Sequence, residues 1–262
     1  MTSRFFDPNA CFIAEEDSSA VGCVALTGLP REKWYVVRYL AVKPCRSRVQ
    51  IAEKLLAKVL EYAESKRPEF VRAATPAIQP YVDVYKRHGF QPIRRDFRIT
   101  WDLKESRSVP HIPISLLPVT EETTGEAAGL FVTSLGSPWD WRTAEQGGTE
   151  AVEQSFTEGV KNGEQWMLGQ SDGQTVGMVG IIPDFYTTGE ARFRGAYVLP
   201  EYRGRGIGMT LMSEISRLAR EKGQRKMTVY TFSYLDCLAP GALLYLRSGG
   251  RIDAEYLQLE KE

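Results

Sequence analysis

The chain has 262 residues, 43% of them hydrophobic, with 33 basic and 33 acidic side chains and a formal net charge of zero. Such a composition excludes a disordered chain and allows one large domain or two modest ones. The balanced charge gives no support to a nucleic-acid partner. Divided after Pro113, the first part carries 19 basic and 13 acidic residues and the second 14 and 20, a mild asymmetry by which two halves attract one another. The cysteines at 11, 23, 45 and 237 form no CxxC, and His88 and His111 stand in no metal-ligand spacing; neither a disulfide framework nor a metal is expected. The opening MTSRFFDPNA lacks a basic segment followed by an apolar one. No window approaches the roughly 18 apolar residues of a membrane span. The expectation is a cytoplasmic protein with reduced thiols and no membrane partner.

In chain order, residues 11–16, 20–27 and 34–42 are short runs of valine, aromatic and other apolar residues separated by turn-forming segments, which reads as an antiparallel ladder. After Pro44 the period changes. Ile51, Leu55 and Val59, with Leu56, Leu60 and Ala63 beside them, trace one face of a helix. FVRAAT reads as a strand, a short helix runs through Tyr85, and IRRDFRITWDL closes the first part. Residues 105–113, with charge, serine and two prolines, read as a linker. Then a comparable order returns: a strand ISLLPV, helices over 120–136 and 149–162, three strands from WMLGQ to ARFRGAYVL, a helix from Ile207 to about Gly223, MTVYTF, a helix through Tyr245, and RIDAEYLQLE. Val42, Pro44, Ile51 and Leu55 each stand 156 places before Val198, Pro200, Ile207 and Leu211, and Tyr85 and Gly89 stand 160 before Tyr245 and Gly249. That is a repeat of whole domains, the first copy lacking the two helices that open the second.

Within VLPEYRGRGIGMTL, glycines alternate at 204, 206 and 208, with arginines at 203 and 205, where a helical period begins. A helix start offers unpaired N–H groups and partial positive charge, and glycines clear the approach to it, so the stretch suits a phosphate. No Lys-Ser or Lys-Thr follows Gly208, against a P-loop. A dinucleotide fingerprint fits Gly204 and Gly206 but meets Met209 in its third place. The full pattern Val-x-Pro-x-x-Arg-Gly-x-Gly-Ile-Gly between a strand and a helix, followed by Tyr-x-x-x-Gly, resembles the GNAT superfamily of acyl-CoA-dependent N-acyltransferases.

The resemblance implies an α+β fold of two tandem GNAT-like domains, each a mixed, mainly antiparallel sheet flanked by helices. They would occupy residues 1–104, degenerate and non-catalytic, and 114–262, catalytic, packed as an intrachain pseudo-dimer in a monomer. It implies acetyl-CoA as co-substrate, without a metal. Arg203, Gly204, Arg205, Gly206, Ile207, Gly208 and Met209 would then hold the diphosphate, and Ala196, Tyr197, Val198 and Leu199 would run along the pantetheine arm. Tyr245 takes the place of the family's general acid, although Gly250 stands where the motif has phenylalanine and Leu238 where an asparagine is frequent. Arg192 and Arg194 occupy the strand positions where the family carries a glutamate, leaving Glu190 as the nearest candidate base. If the two arginines point into the cleft, they suit an acceptor with a carboxylate or phosphate. Trp139 and Trp141, with Asp140 or Arg142, are candidates for the wall of the acceptor pocket, and Asp184, Phe185 and Tyr186 for a second lip.

In the first copy Ser47, Gln50 and Ala52 replace Arg203, Gly206 and Gly208, and Arg48 replaces Gly204. A glutamine at the point of close approach fills the volume a diphosphate needs, so coenzyme is expected only in the second copy. The activity expected is acetyl transfer to a primary amine on a small molecule or peptide. A silent acyl-CoA-binding or scaffolding protein is the alternative, and an NAD-dependent enzyme a minor one.

Overall fold

The computed structural model describes residues 6–29, 33–104, 112–135, 148–234 and 237–262. It comprises two compact units, one made of residues 1–97, 232–237 and 254–262, the other of residues 98–231 and 238–253. Each is α+β, a mixed sheet flanked by helices, and the first copy is the shorter. The sequence divides at a contiguous linker, whereas the compact units exchange pieces. The end of the chain belongs to the first unit, and residues 98–104, at the close of the first copy, belong to the second. Periodicity identifies a strand but not the sheet it joins, because pairing is long-range.

The first unit begins with β1 (Phe6–Glu16), β2 (Ser19–Leu29) and β3 (Trp34–Val42), paired antiparallel in that order. Asp17 and Ser18, both at positive φ, make the tight turn between β1 and β2, which matches the twist of the flanking strands. Helix α1 (Arg48–Ser65) follows and buries Leu55, Leu56, Val59, Leu60 and Ala63, the stripe its period requires. Strand β4 (Phe70–Pro76) lies parallel to β3 and alternates, Val71, Ala73 and Thr75 turning inward. Helix α2 (Gln79–Arg87) carries Val82, Val84 and Tyr85 into the core, and β5 (Gln91–Asp102) comes next. The last strand of the chain, β12 (Arg251–Lys261), pairs antiparallel with β4 from Tyr256 opposite Pro76 to Lys261 opposite Val71. Its Leu259 is wholly buried in the core beneath α1.

The second unit opens with β6 (Ser115–Pro118) and a single 3-10 turn, Glu121–Thr123, fixed by reciprocal bonds between Thr120 and Thr123, a capping box. Helices α3 (Thr124–Leu135) and α4 (Gly148–Lys161) follow. Strands β7 (Gln165–Ser171), β8 (Gln174–Thr187) and β9 (Glu190–Val198) continue an antiparallel ladder from β6. Helix α5 (Ile207–Glu221) lays Ile207, Leu211, Met212, Ile215 and Ala219 against the sheet, and β10 (Lys226–Tyr234) returns parallel to β9. A two-residue strand β11 (Cys237–Leu238) and helix α6 (Pro240–Arg247) precede β12. No described helix is long and apolar enough to cross a membrane.

Candidate coenzyme and acceptor site

Strand β9 runs to Val198, but its ladder with β10 holds only three pairs, Glu190 to Lys226, Ala191 to Met227 and Arg192 to Thr228. Among the described residues that ladder ends at Arg192, so from Phe193 onward the two parallel strands part and an opening lies between them. The strand bends where the opening begins. Against β8, Gly180 faces Gly195 and Ile181 faces Phe193, so one residue is extra. Gly195 has φ +138°, and a bulge built on glycine re-aims the side chains beyond it. Ala196, Tyr197 and Val198 lie beyond the end of that ladder, and Leu199 leads out of the strand.

The chain then makes a 3-10 turn, Pro200–Tyr202, and enters α5 through the glycines. Gly204 and Gly206 have φ of +76° and +85°, and a methyl group built on Gly204 meets nothing within 4 Å. Built on Gly206 it meets Ile112 Cδ1 at 2.8 Å, and on Gly208 the Leu244 side chain at 3.2 Å. The Met209 and Thr210 N–H groups donate to the Gly206 carbonyl at 3.0 and 3.1 Å; among the described residues, the amides from Gly204 to Gly208 have no backbone acceptor. This is a bare, left-handed entry to a helix with its donors unclaimed.

The two arginines differ. Arg203 Nε donates to the Val198 carbonyl at 3.1 Å, and its terminal nitrogen donates to the Ser134 carbonyl. Ser134 is in the last turn of α3, where carbonyls lack helical partners. Arg203 therefore fastens the loop to two elements. Arg205 is exposed and lies over the Tyr202 ring at 5.4 Å; Tyr202 in turn donates to Gln174 Oε1 at 2.6 Å.

Tyr245, on α6, is buried, with its ring packed edge-on against Phe193 at 5.3 Å and Trp101 at 5.8 Å. Phe193 is the first residue past the paired ladder. Trp101 Nε1 donates to Ser248 Oγ at 3.1 Å. Gly250 takes the place of the motif's phenylalanine for a steric reason: a methyl group there would lie 2.5 Å from Ile99 and 2.9 Å from Trp101. The indole fills the space that Phe90 fills in the first copy, where it packs on Tyr85 at 5.5 Å. Trp101 comes from the other side of the sequence linker, and nothing in the local pattern pointed to it.

Glu190 does not join this group. Its Oε1 accepts Thr228 Oγ1 at 2.9 Å and Lys226 Nζ at 3.2 Å, in the paired part of the ladder. Arg192 lies over the Phe185 ring at 4.8 Å, and Phe185 packs edge-on with Tyr186 at 4.9 Å. Asp184 ties the same hairpin: its Oδ1 accepts the Gly189 N–H at 2.6 Å and Gln224 Nε2 at 3.0 Å, and these bonds hold its carboxyl below the usual aspartate range.

Arg194 does point into a cavity. Its Nε donates to Glu164 Oε2 at 3.0 Å, and Trp166 Nε1 donates to the same oxygen at 3.0 Å. The cavity, of 270 Å³, is bounded by Phe131, Ser155, Glu164, Trp166, Arg194 and Tyr197, among others. Glu164 is a second residue that periodicity missed, since it sits in the turn between α4 and β7. Trp139 and Trp141, with Asp140 and Arg142, lie outside the described residues.

Two family models match the chain, the acetyltransferase (GNAT) domain over residues 7–92 and the acetyltransferase (GNAT) family over residues 135–236. The chain belongs to the GNAT family. The GNAT fold is shared with a GCN5-related N-acetyltransferase from Sphaerobacter thermophilus, at 19% identity and a TM-score of 0.68, covering 97% of this chain and 80% of that one. A tandem GNAT protein from the clavulanic acid biosynthesis pathway aligns at 20% identity and 0.66, covering 98% and 85%. A GNAT-family acetyltransferase from Colwellia psychrerythraea aligns at 15% and 0.65, covering 97% and 87%. A search of curated proteins returns no match. Membership of this GNAT chain implies acyl transfer from an acyl-CoA. The loop fits such a group, since its open glycines and unclaimed amides suit a diphosphate. Among the described residues no cluster of histidine, cysteine and acidic side chains is suited to a metal.

Proposed function

We propose that the second copy transfers an acetyl group from acetyl-CoA to a primary amine. The observation that carries this reading is the parting of β9 from β10 after Arg192, which leads over the bulge into a glycine loop whose amides from Gly204 to Gly208 have no backbone acceptor among the described residues. Acetyl-CoA supplies the acyl thioester. Gly204 to Gly208 donate main-chain bonds to its diphosphate, at about 1.5–3 kcal/mol per charge-assisted bond, and Arg205 adds charge. Ala196, Tyr197, Val198 and Leu199 offer main-chain donors and acceptors to the amide-bearing arm. Tyr245, held by Phe193 and Trp101, gives its phenolic proton to the departing sulfur.

The acceptor enters by the cavity at the bulge, where Glu164 receives its ammonium group and accepts the proton that the nitrogen must shed before it attacks the thioester. Glu164 is preferred to Glu190 because it lines this cavity, whereas Glu190 bonds Lys226 and Thr228 in the paired part of the ladder. Because Glu164 neutralises Arg194, the cavity lacks the unpaired arginines that would favour an acidic acceptor. Steady-state turnover with acetyl-CoA across polyamines, amino acids, aminoglycosides and peptides tests the reading. Acetylation of at least one amine, lost in Tyr245→Phe, is expected; coenzyme A binding without turnover would instead support the silent acyl-CoA-binding reading, which the arginine at 192 in place of an acid favours.

A further inference from the structure

The first copy keeps an opening of its own. Its β3–β4 ladder runs from Trp34 opposite Phe70 to Val37 opposite Ala73 and stops, although β3 continues to Val42 and β4 to Pro76. A cavity of 460 Å³ occupies this opening, within the range of small-molecule sites, bounded mainly by apolar residues, including Val42, Val49, Ala52 and Val84. Of the hydroxyl-bearing residues that line it, Tyr39, Thr75, Tyr81 and Tyr85, two are buried, Thr75 at 3% exposure and Tyr85 at 5%. Neither hydroxyl has a hydrogen-bond partner among the described residues, and burial alone pushes the Tyr85 phenol up to about 12. Buried polar groups without partners are rare, and here both border one empty volume. At the rim stands Arg48, the first residue of α1, stacked on Tyr81 at 5.3 Å and without a carboxylate partner among the described residues. The first turn of that helix holds no acidic residue, and Ser47 gives it no side-chain cap.

We infer that this cavity binds an elongated, unphosphorylated carboxylate whose apolar body ends in a neutral carbonyl. The carbonyl accepts from Thr75 and Tyr85, the apolar body lies against the valines, and the carboxylate meets Arg48 and the α1 N-terminus. The charge belongs at the rim because a carboxylate buried among hydroxyls and valines would lack a counter-ion. A diphosphate is disfavoured by Gln50, whose side chain stands where the second copy has Gly206.

Isothermal titration of the full chain, with coenzyme A saturating, tests the assignment. The probes are oxodecanoate carrying its ketone on the penultimate carbon, decanoate, and the uncharged decanone. Oxodecanoate is expected to bind with the highest affinity. Tyr85→Phe and Thr75→Val should each weaken it about tenfold, close to 1.4 kcal/mol, while changing decanoate less than twofold. Arg48→Ala should weaken both acids about tenfold and leave decanone unchanged. The phenylalanine and valine variants keep the shape of the core, and thermal melts within a few degrees of the parent confirm folding. No binding of oxodecanoate, displacement by coenzyme A, or equal affinity in Tyr85→Phe and Thr75→Val would overturn the inference.

Discussion

The two copies share the opened ladder and differ at the helix that faces it. In both, a parallel pair of strands separates after a few residues and a bulge bends the outer strand. The bulges occupy equivalent places: Gly195 at φ +138° in the second copy and Tyr39 at φ +55° in the first, 156 positions apart. In both, a tyrosine from the following helix is buried beside the opening. The second copy then enters its helix through three alternating glycines, and the first through Arg48, Gln50 and Ala52. The opening is thus a property of the sheet, and the two copies differ in the residues at one helix N-terminus.

The comparison breaks first at the tyrosines. If only the second copy is catalytic, Tyr245→Phe should lower kcat about 10³-fold, within the 10²–10⁴ range of general acid–base catalysis, with acetyl-CoA affinity within twofold. Tyr85→Phe should leave kcat unchanged. Next comes the aromatic support of each tyrosine. Trp101→Ala should destabilise the protein by about 3–5 kcal/mol, measured by urea unfolding, and lower kcat as Tyr245 loses its wall. Phe90→Ala should cost a similar amount of stability with no effect on kcat.

A smaller effect is expected at the acceptor cavity. Glu164→Gln should raise the acceptor KM about tenfold and leave that of acetyl-CoA within twofold; equal changes in both would remove Glu164 from the acceptor site. The smallest concerns Asp184. Its folded pKa is depressed by the Gly189 N–H and Gln224, so its contribution is present above the ordinary aspartate range and is lost as pH falls through the folded value. Asp184→Ala should therefore lower Tm near neutral pH, and the gap between the two melting curves should close in acid.

The glycine loop, the repeat and most elements were legible because each depends on local spacing. Gly204 and Gly206 announce positive φ by residue type, and α1 and α5 carry their buried faces as a regular period. Trp101 was not legible, because it reaches Tyr245 through the exchange of closing strands between the units. Glu164 lies in a turn, where no period marks a functional side chain. Arg203 illustrates the limit of motif reading: its residue type suits a phosphate, but its bonds to the Val198 and Ser134 carbonyls are not legible in the sequence. Glu190 shows a related limit, since proximity in sequence to the loop says nothing of the lysine beside it.

The central claim is that one copy holds coenzyme and the other does not. Titration of acetyl-CoA into the full chain, monitored by calorimetry, measures it directly, together with Gly206→Gln, which copies Gln50 into the second loop. The account predicts one site per chain in the parent and at least a hundredfold loss of affinity in the variant. Two sites per chain, or unchanged affinity in Gly206→Gln, would contradict it.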